Sequence, residues 1–171
     1  QANPWSWLIM GRPTSFFYET PKTCGALSCS QEVLALGTPI LWWLGTIALA
    51  TLLGFWIRNI STRRTDPALN LILYAVAAGY LPWFFFQKRT VFSFYAIVIE
   101  PFLILAIVYC ARIYLTSQER KSHQQLQIAY GVLGFSFVVI AVNFIYFLPL
   151  YMGSTITYAD WFARMWFPSW I

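Results

Sequence analysis

Few residues of this chain can do chemistry, and most of those are cations. In FFFQKRTVFSFY, residues 84–95, Lys88 and Arg89 stand side by side in a four-residue gap between two long apolar runs. Such a short gap needs no charge in order to turn. An arginine there suits a phosphodiester, because its planar fork can donate two parallel hydrogen bonds to two oxygens. Lys88 is a more flexible point charge and reads as a snorkelling neighbour. A plainer reading also stands for both: cations that cap helix ends and touch lipid phosphates.

Arg12 is the second candidate. It precedes Pro13 and lies between Trp5, Trp7 and the pair Phe16, Phe17. It serves either an interfacial segment pairing with lipid headgroups or a site for a bound anion. Tyr80 and Tyr95 lie beside the 87–90 gap, at a height where they could line a lipid groove or join an aromatic belt. Cys24 and Cys29, in TCGALSCSQE, are spaced for a small disulfide loop if they face an oxidising compartment. Zinc is the rival there, but the one histidine, His123, lies in a different gap, and no metal site is expected. Cys110 reads as a packed thiol.

Glu100 falls ten positions into an apolar run, about 15 Å along a helix and near mid-membrane. Carboxylates at that depth are functional by default. Pro101 follows and would free a carbonyl one turn back, to which a protonated Glu100 could donate. A structural role is therefore expected for Glu100 and Pro101. Asn143 reads as interhelical glue, and Gly131 and Gly134 as close-packing positions. Near the end, Asp160 and Arg164 are four apart and could meet on a helix carrying Trp161, Phe162, Met165 and Trp166.

The elements that hold these residues are membrane helices. Of 171 residues, 59% are hydrophobic, 20% aromatic and 10% charged, with mean hydropathy +0.60. A soluble domain carries about 25% charged residues. Four runs reach spanning length: 39–57, 68–86, 91–111 and 126–148. They lack strand-like alternation, so the fold class is an all-α integral membrane protein with four transmembrane helices and external interfacial segments. Residues 1–38 form an arm, 39–151 the helical domain and 152–171 an interfacial tail. The net charge of +5 does not point to nucleic acid, since the cations are scattered among the gaps. Gaps 58–67 and 112–125 carry six basic residues in 24 positions, against five in the 65 positions of the other side. Positive-inside bias puts those gaps in the cytoplasm and both termini outside, with Lys88 and Arg89 against the bias. A start at Gln1 without Met suggests a piece of something longer.

Four stretches in order carry a resemblance: NPWSWLIMGRPTSFFYE, CGALSCSQEVLALGTP, AGYLPWFFFQKRTVFSFYA and YADWFARMWFPSWI. Together they resemble the C-terminal membrane region of actinobacterial protein O-mannosyltransferases, over essentially the whole chain. That resemblance implies a GT-C-type glycosyltransferase of the plasma membrane. The donor would be polyprenyl-phosphate-mannose, the acceptor a Ser or Thr hydroxyl of a secreted polypeptide, and the reaction extracytoplasmic. No further cofactor is implied. Arg89 and Arg12, with Lys88, Tyr95 and Tyr80, become candidates for holding the donor phosphate and lipid. The family's catalytic acidic pair, an Asp followed by Glu, has no counterpart in this sequence. No catalytic residue is therefore assigned, and the region is expected to be inactive without an upstream part of the same enzyme. Glu100 departs from the family pattern, where an apolar residue is expected before the proline. Ile171 has the look of a natural C-terminus. The alternative class is a non-enzymatic scaffold or small transport subunit, told apart by what lies upstream.

Overall fold

Proline starts the first two membrane helices, where its missing N–H costs nothing. α1 runs Pro39–Ser61 and α2 Pro67–Tyr80, the latter capped by Asp66, whose carboxylate accepts the Leu69 N–H at 3.1 Å. A tight turn, Leu81–Phe86, prolongs α2. α3 spans Glu100–Glu119 and α4 His123–Met152, with Ser122 accepting from the Gln125 N–H. α4 stops at Gly153, whose φ of 63° is the left-handed cap that glycine tolerates. The coordinates are a computed structural model that describes residues 2–22, 24–86 and 89–171. Within them Pro39–Ser61, Pro67–Phe86, Glu100–Glu119 and His123–Met152 are long and apolar enough to cross a membrane.

The third span differs from expectation. Residues 91–99 do not open it; they make a separate turn, Ser93–Val98, with Val91, Ala96 and Ile99 buried beneath the arm. The Ala2 N–H donates to the Val91 carbonyl at 2.9 Å and stitches the two together. Hydropathy cannot separate a chain buried under a protein layer from one buried in lipid. Glu100 is consequently the first residue of α3 rather than a position ten residues into it. Pro101 sits in the first turn, where it breaks no helical bond.

The arm and the start of the tail are not purely interfacial. β1 (Thr14–Glu19) pairs antiparallel with β2 (Cys29–Ala35), which pairs with β3 (Thr155–Thr157). β2 buries Ser30, Glu32 and Leu34 on one face. The tail helix α5 is only Tyr158–Ala163, followed by a turn at Pro168–Trp170. Trp161, Met165 and Trp170 are buried against the arm and the end of α4. Arm, sheet, residues 81–86 and 89–99, and tail thus gather at one end of the bundle, and the 62–66 and 120–122 turns at the other.

Helix contact is closest between α1 and α3. A Cβ on Gly45 would lie 2.8 Å from Leu103 Cβ, so only glycine permits that approach. Gly131 and Gly134, expected to do this work, have nothing within 4 Å of a built Cβ. They lie on an open face of α4. Asn143 is buried and its Oδ1 accepts the Ile40 N–H at 3.1 Å, serving the start of α1 where Thr38 makes no side-chain cap.

Candidate functional site

At the arm end, Trp7 is the centre of an aromatic cluster and is 2% exposed. Its ring meets Tyr80, Trp83 and Tyr95 at 6.2, 5.6 and 6.4 Å, and Trp83 stacks on Tyr95 at 4.7 Å. Tyr80 Oη donates to the Pro4 carbonyl at 2.6 Å. Both tyrosines proposed for a lipid groove are therefore held by the arm and only partly exposed.

A cavity of about 330 Å³ opens beside this cluster. Its walls come from the arm (Trp7, Met10, Pro13), the β2–α1 junction (Thr38, Trp42), residues Ser93 and Phe94, and Tyr151 of α4. Glu100 also lines it, at the head of α3 and half-buried. The volume lies within the about 300–1,000 Å³ usual for ligand pockets, and the chemistry is typical: aromatic walls with a few polar groups. Nothing in the sequence marked this cavity, because its walls come from four separate stretches. The one local hint is the G-R-P turn that leaves the wall at Met10 and returns at Pro13.

Arg12 lies in that turn and is exposed. Arg89 is exposed too, and its backbone N–H donates to the Phe86 carbonyl at 3.0 Å. Among the described residues, no carboxylate pairs with either guanidinium. The role assigned to Lys88 falls outside the described residues. Cys24 and Cys29 are joined, with Cα atoms 5.9 Å apart, tying the 24–28 loop to the first residue of β2. Cys110 packs against α1, its thiol donating to the Ala48 carbonyl at 3.8 Å. Among the described residues no group of three or more His, Cys, Asp or Glu comes together as a metal site.

Asp160 and Arg164 do meet, but not as an ion pair. Arg164 Nη1 donates to the Asp160 carbonyl at 2.6 Å and its Nε to the Tyr146 carbonyl at 2.7 Å. The Asp160 carboxylate instead accepts from Thr157 Oγ1 at 2.7 Å. The guanidinium also lies 4.7 Å from the Tyr146 ring centroid, so this cation locks the tail onto α4 and is not available to a ligand.

Comparison with known proteins places this arrangement. The family model for the C-terminal four TMM region of protein-O-mannosyltransferase matches residues 1–170. A polyprenol-phosphate-mannose–protein mannosyltransferase of Mycolicibacterium smegmatis is 30% identical over 176 residues, covering 99% of this chain and 32% of the relative. The similarly named protein of Corynebacterium glutamicum is 32% identical over 172 residues, with the same shares of 99% and 32%. Among solved structures, the S. cerevisiae protein O-mannosyltransferase Pmt1-Pmt2 complex bound to the sugar donor matches with a TM-score of 0.73 at 20% identity. That match covers 99% of this chain and 23% of the yeast chain, and shows a shared fold. The chain spans about a third of the length of the curated relatives it matches.

Proposed function

The chain belongs to the protein O-mannosyltransferase family as its C-terminal four-helix membrane region, and from that premise we propose that it builds part of the donor site of a mannosyl transfer. The donor is polyprenyl-phosphate-mannose and the acceptor a Ser or Thr hydroxyl of a secreted polypeptide. The arm end faces the extracytoplasmic side of the plasma membrane. The excess of Arg and Lys in the gaps at the opposite end supports that orientation. So does the joined Cys24–Cys29 pair, which suits an oxidising compartment.

One observation carries the reading: the aromatic-walled cavity lies at the arm end, with the exposed guanidinium of Arg12 in the turn at its rim and that of Arg89 at the same end of the bundle. As the glycosidic bond breaks, the electron pair leaves with the polyprenyl phosphate, and negative charge grows on its oxygens. The donor phosphodiester already carries one negative charge, and fixed cations stabilise the second, developing charge beyond what they give the bound ground state. Arg89 grips two phosphate oxygens, and Arg12 approaches the same anion from the arm. The base that takes the acceptor proton belongs to the upstream part of the enzyme, since deprotonation needs a positioned group within hydrogen-bond reach.

The experiment supplies radiolabelled polyprenyl-phosphate-mannose and a Ser/Thr-rich peptide to the purified full-length enzyme and, separately, to residues 1–171. Transfer by the former and none by the latter is expected. Transfer by residues 1–171 alone would place the base inside this region and overturn that division of labour.

A further inference from the structure

Residues 7–11 form no strand, yet the carbonyl of every one of them accepts a side-chain hydrogen bond from elsewhere in the chain. Trp42 Nε1 donates to Trp7 at 3.0 Å, Thr46 Oγ1 to Leu8 at 2.9 Å and Trp43 Nε1 to Ile9 at 3.0 Å, all from α1. The next two donors come from the end of the chain. Trp170 Nε1 donates to Met10 at 2.7 Å, and Ser169 Oγ donates to Gly11. Met10 carries φ +57°, a left-handed conformation that residues bearing a Cβ seldom adopt. A Cβ on Gly11 would lie 3.0 Å from Ser6 Cβ, so the backbone there is pressed close. Arg12 follows directly, and Met10 and Pro13 on either side face the cavity.

We propose that the Pro168–Trp170 turn is a clamp that holds the left-handed bend at Met10, and that Trp170 and Ser169 are positioning residues which present Arg12 to the substrate. This rests on the reading of Arg12 as a cation for the donor phosphate. The clamp joins the two ends of the region across 160 positions. Without it, the left-handed Met10 and its neighbour Gly11 lose both donors. Arg12 then keeps its charge but loses its place. An ångström of misplacement can cost about 100-fold in rate.

The test uses the full-length enzyme with Trp170→Phe and Ser169→Ala, which delete the two donors while keeping an aromatic side chain and the backbone. The double variant is expected to lower kcat/KM for polyprenyl-phosphate-mannose about tenfold. Loss of the donor to the buried Met10 carbonyl should also lower the thermal unfolding midpoint, so kcat/KM is compared at matched folded fraction, and Ser169→Thr should restore what Ser169→Ala loses. A tail that only packs would not give the next result: in an Arg12→Ala background the clamp substitutions should have no further effect. Full multiplication of the two losses, or an unchanged kcat/KM in the double variant, overturns the clamp while leaving Arg12 its role. An Arg12→Ala enzyme with parental kcat/KM overturns the reading of Arg12, and the clamp's purpose with it. If Trp170→Phe fails to fold, the Ser169→Ala and Ser169→Thr pair with Arg12→Ala carries the same comparison.

Discussion

Trp161 of the tail donates its indole N–H to the Glu32 carboxylate at 2.5 Å, joining α5 to the buried face of β2. Glu32 is 4% exposed, so the bond has no water to replace it. Trp161→Phe leaves a buried carboxylate without its donor and should destabilise by at least the about 1–3 kcal/mol typical of an unsatisfied buried group. Glu32→Gln keeps a carbonyl acceptor and should cost less. Thermal unfolding of the detergent-solubilised enzyme ranks the two; the reverse order would show that the contact contributes little.

At the opposite end, Tyr109 Oη donates to the carboxylate of Asp66, which also caps α2 through the Leu69 N–H. The Tyr109 hydrogen bond first, then the backbone bonds and the nearby Arg112 charge, hold the Asp66 carboxyl below the ordinary range. A carboxyl lowered on folding stabilises the protein above its unfolded pKa, about 3.9, and that stability is lost as pH falls through the folded value. Tyr109→Phe should therefore move the acid-unfolding midpoint upward, and Asp66→Ala should cost about 1 kcal/mol at neutral pH through loss of the cap. Acid titration followed by circular dichroism reads both. A Tyr109→Phe midpoint at or below the parental one would contradict this.

The Cys24–Cys29 bond closes a loop of sequence separation 5. On the chain-entropy model a loop that short is worth about 2 kcal/mol. Protein isolated under thiol-blocking conditions should carry no label at either position, and Cys24→Ser should lower stability by that amount. Labelling of both cysteines would show reduced thiols and remove one support for an extracytoplasmic arm.

How much of this was legible depends on where each signal lies along the chain. Four spans and the cation pattern of the gaps are local, and α1, α2 and α4 fall close to the apolar runs that announce them. The start of α3 was misread because residues 91–99 are apolar for a different reason: they lie under Trp7 and Ala2. β2 was hidden by Glu32, a charged residue in the alternating buried face, whose partner Trp161 is 129 positions away. Tryptophan is a residue type that collects at membrane boundaries, yet Trp7, Trp42, Trp43 and Trp170 all spend their N–H on arm carbonyls. Composition can count such donors but cannot pair them.

Arg89 offers the most direct test of the proposed donor site. In the full-length enzyme, at matched expression and folding, turnover and donor affinity would be measured for Arg89→Ala and Arg89→Lys. Arg89→Ala should lose about 2.7–4 kcal/mol of transition-state stabilisation, as for other preorganised donors to a developing anion. Arg89→Lys should recover only part, because an ammonium cannot grip two phosphate oxygens at once. Near-parental turnover and donor affinity in Arg89→Ala would make the residue a membrane anchor and contradict its place at the phosphate.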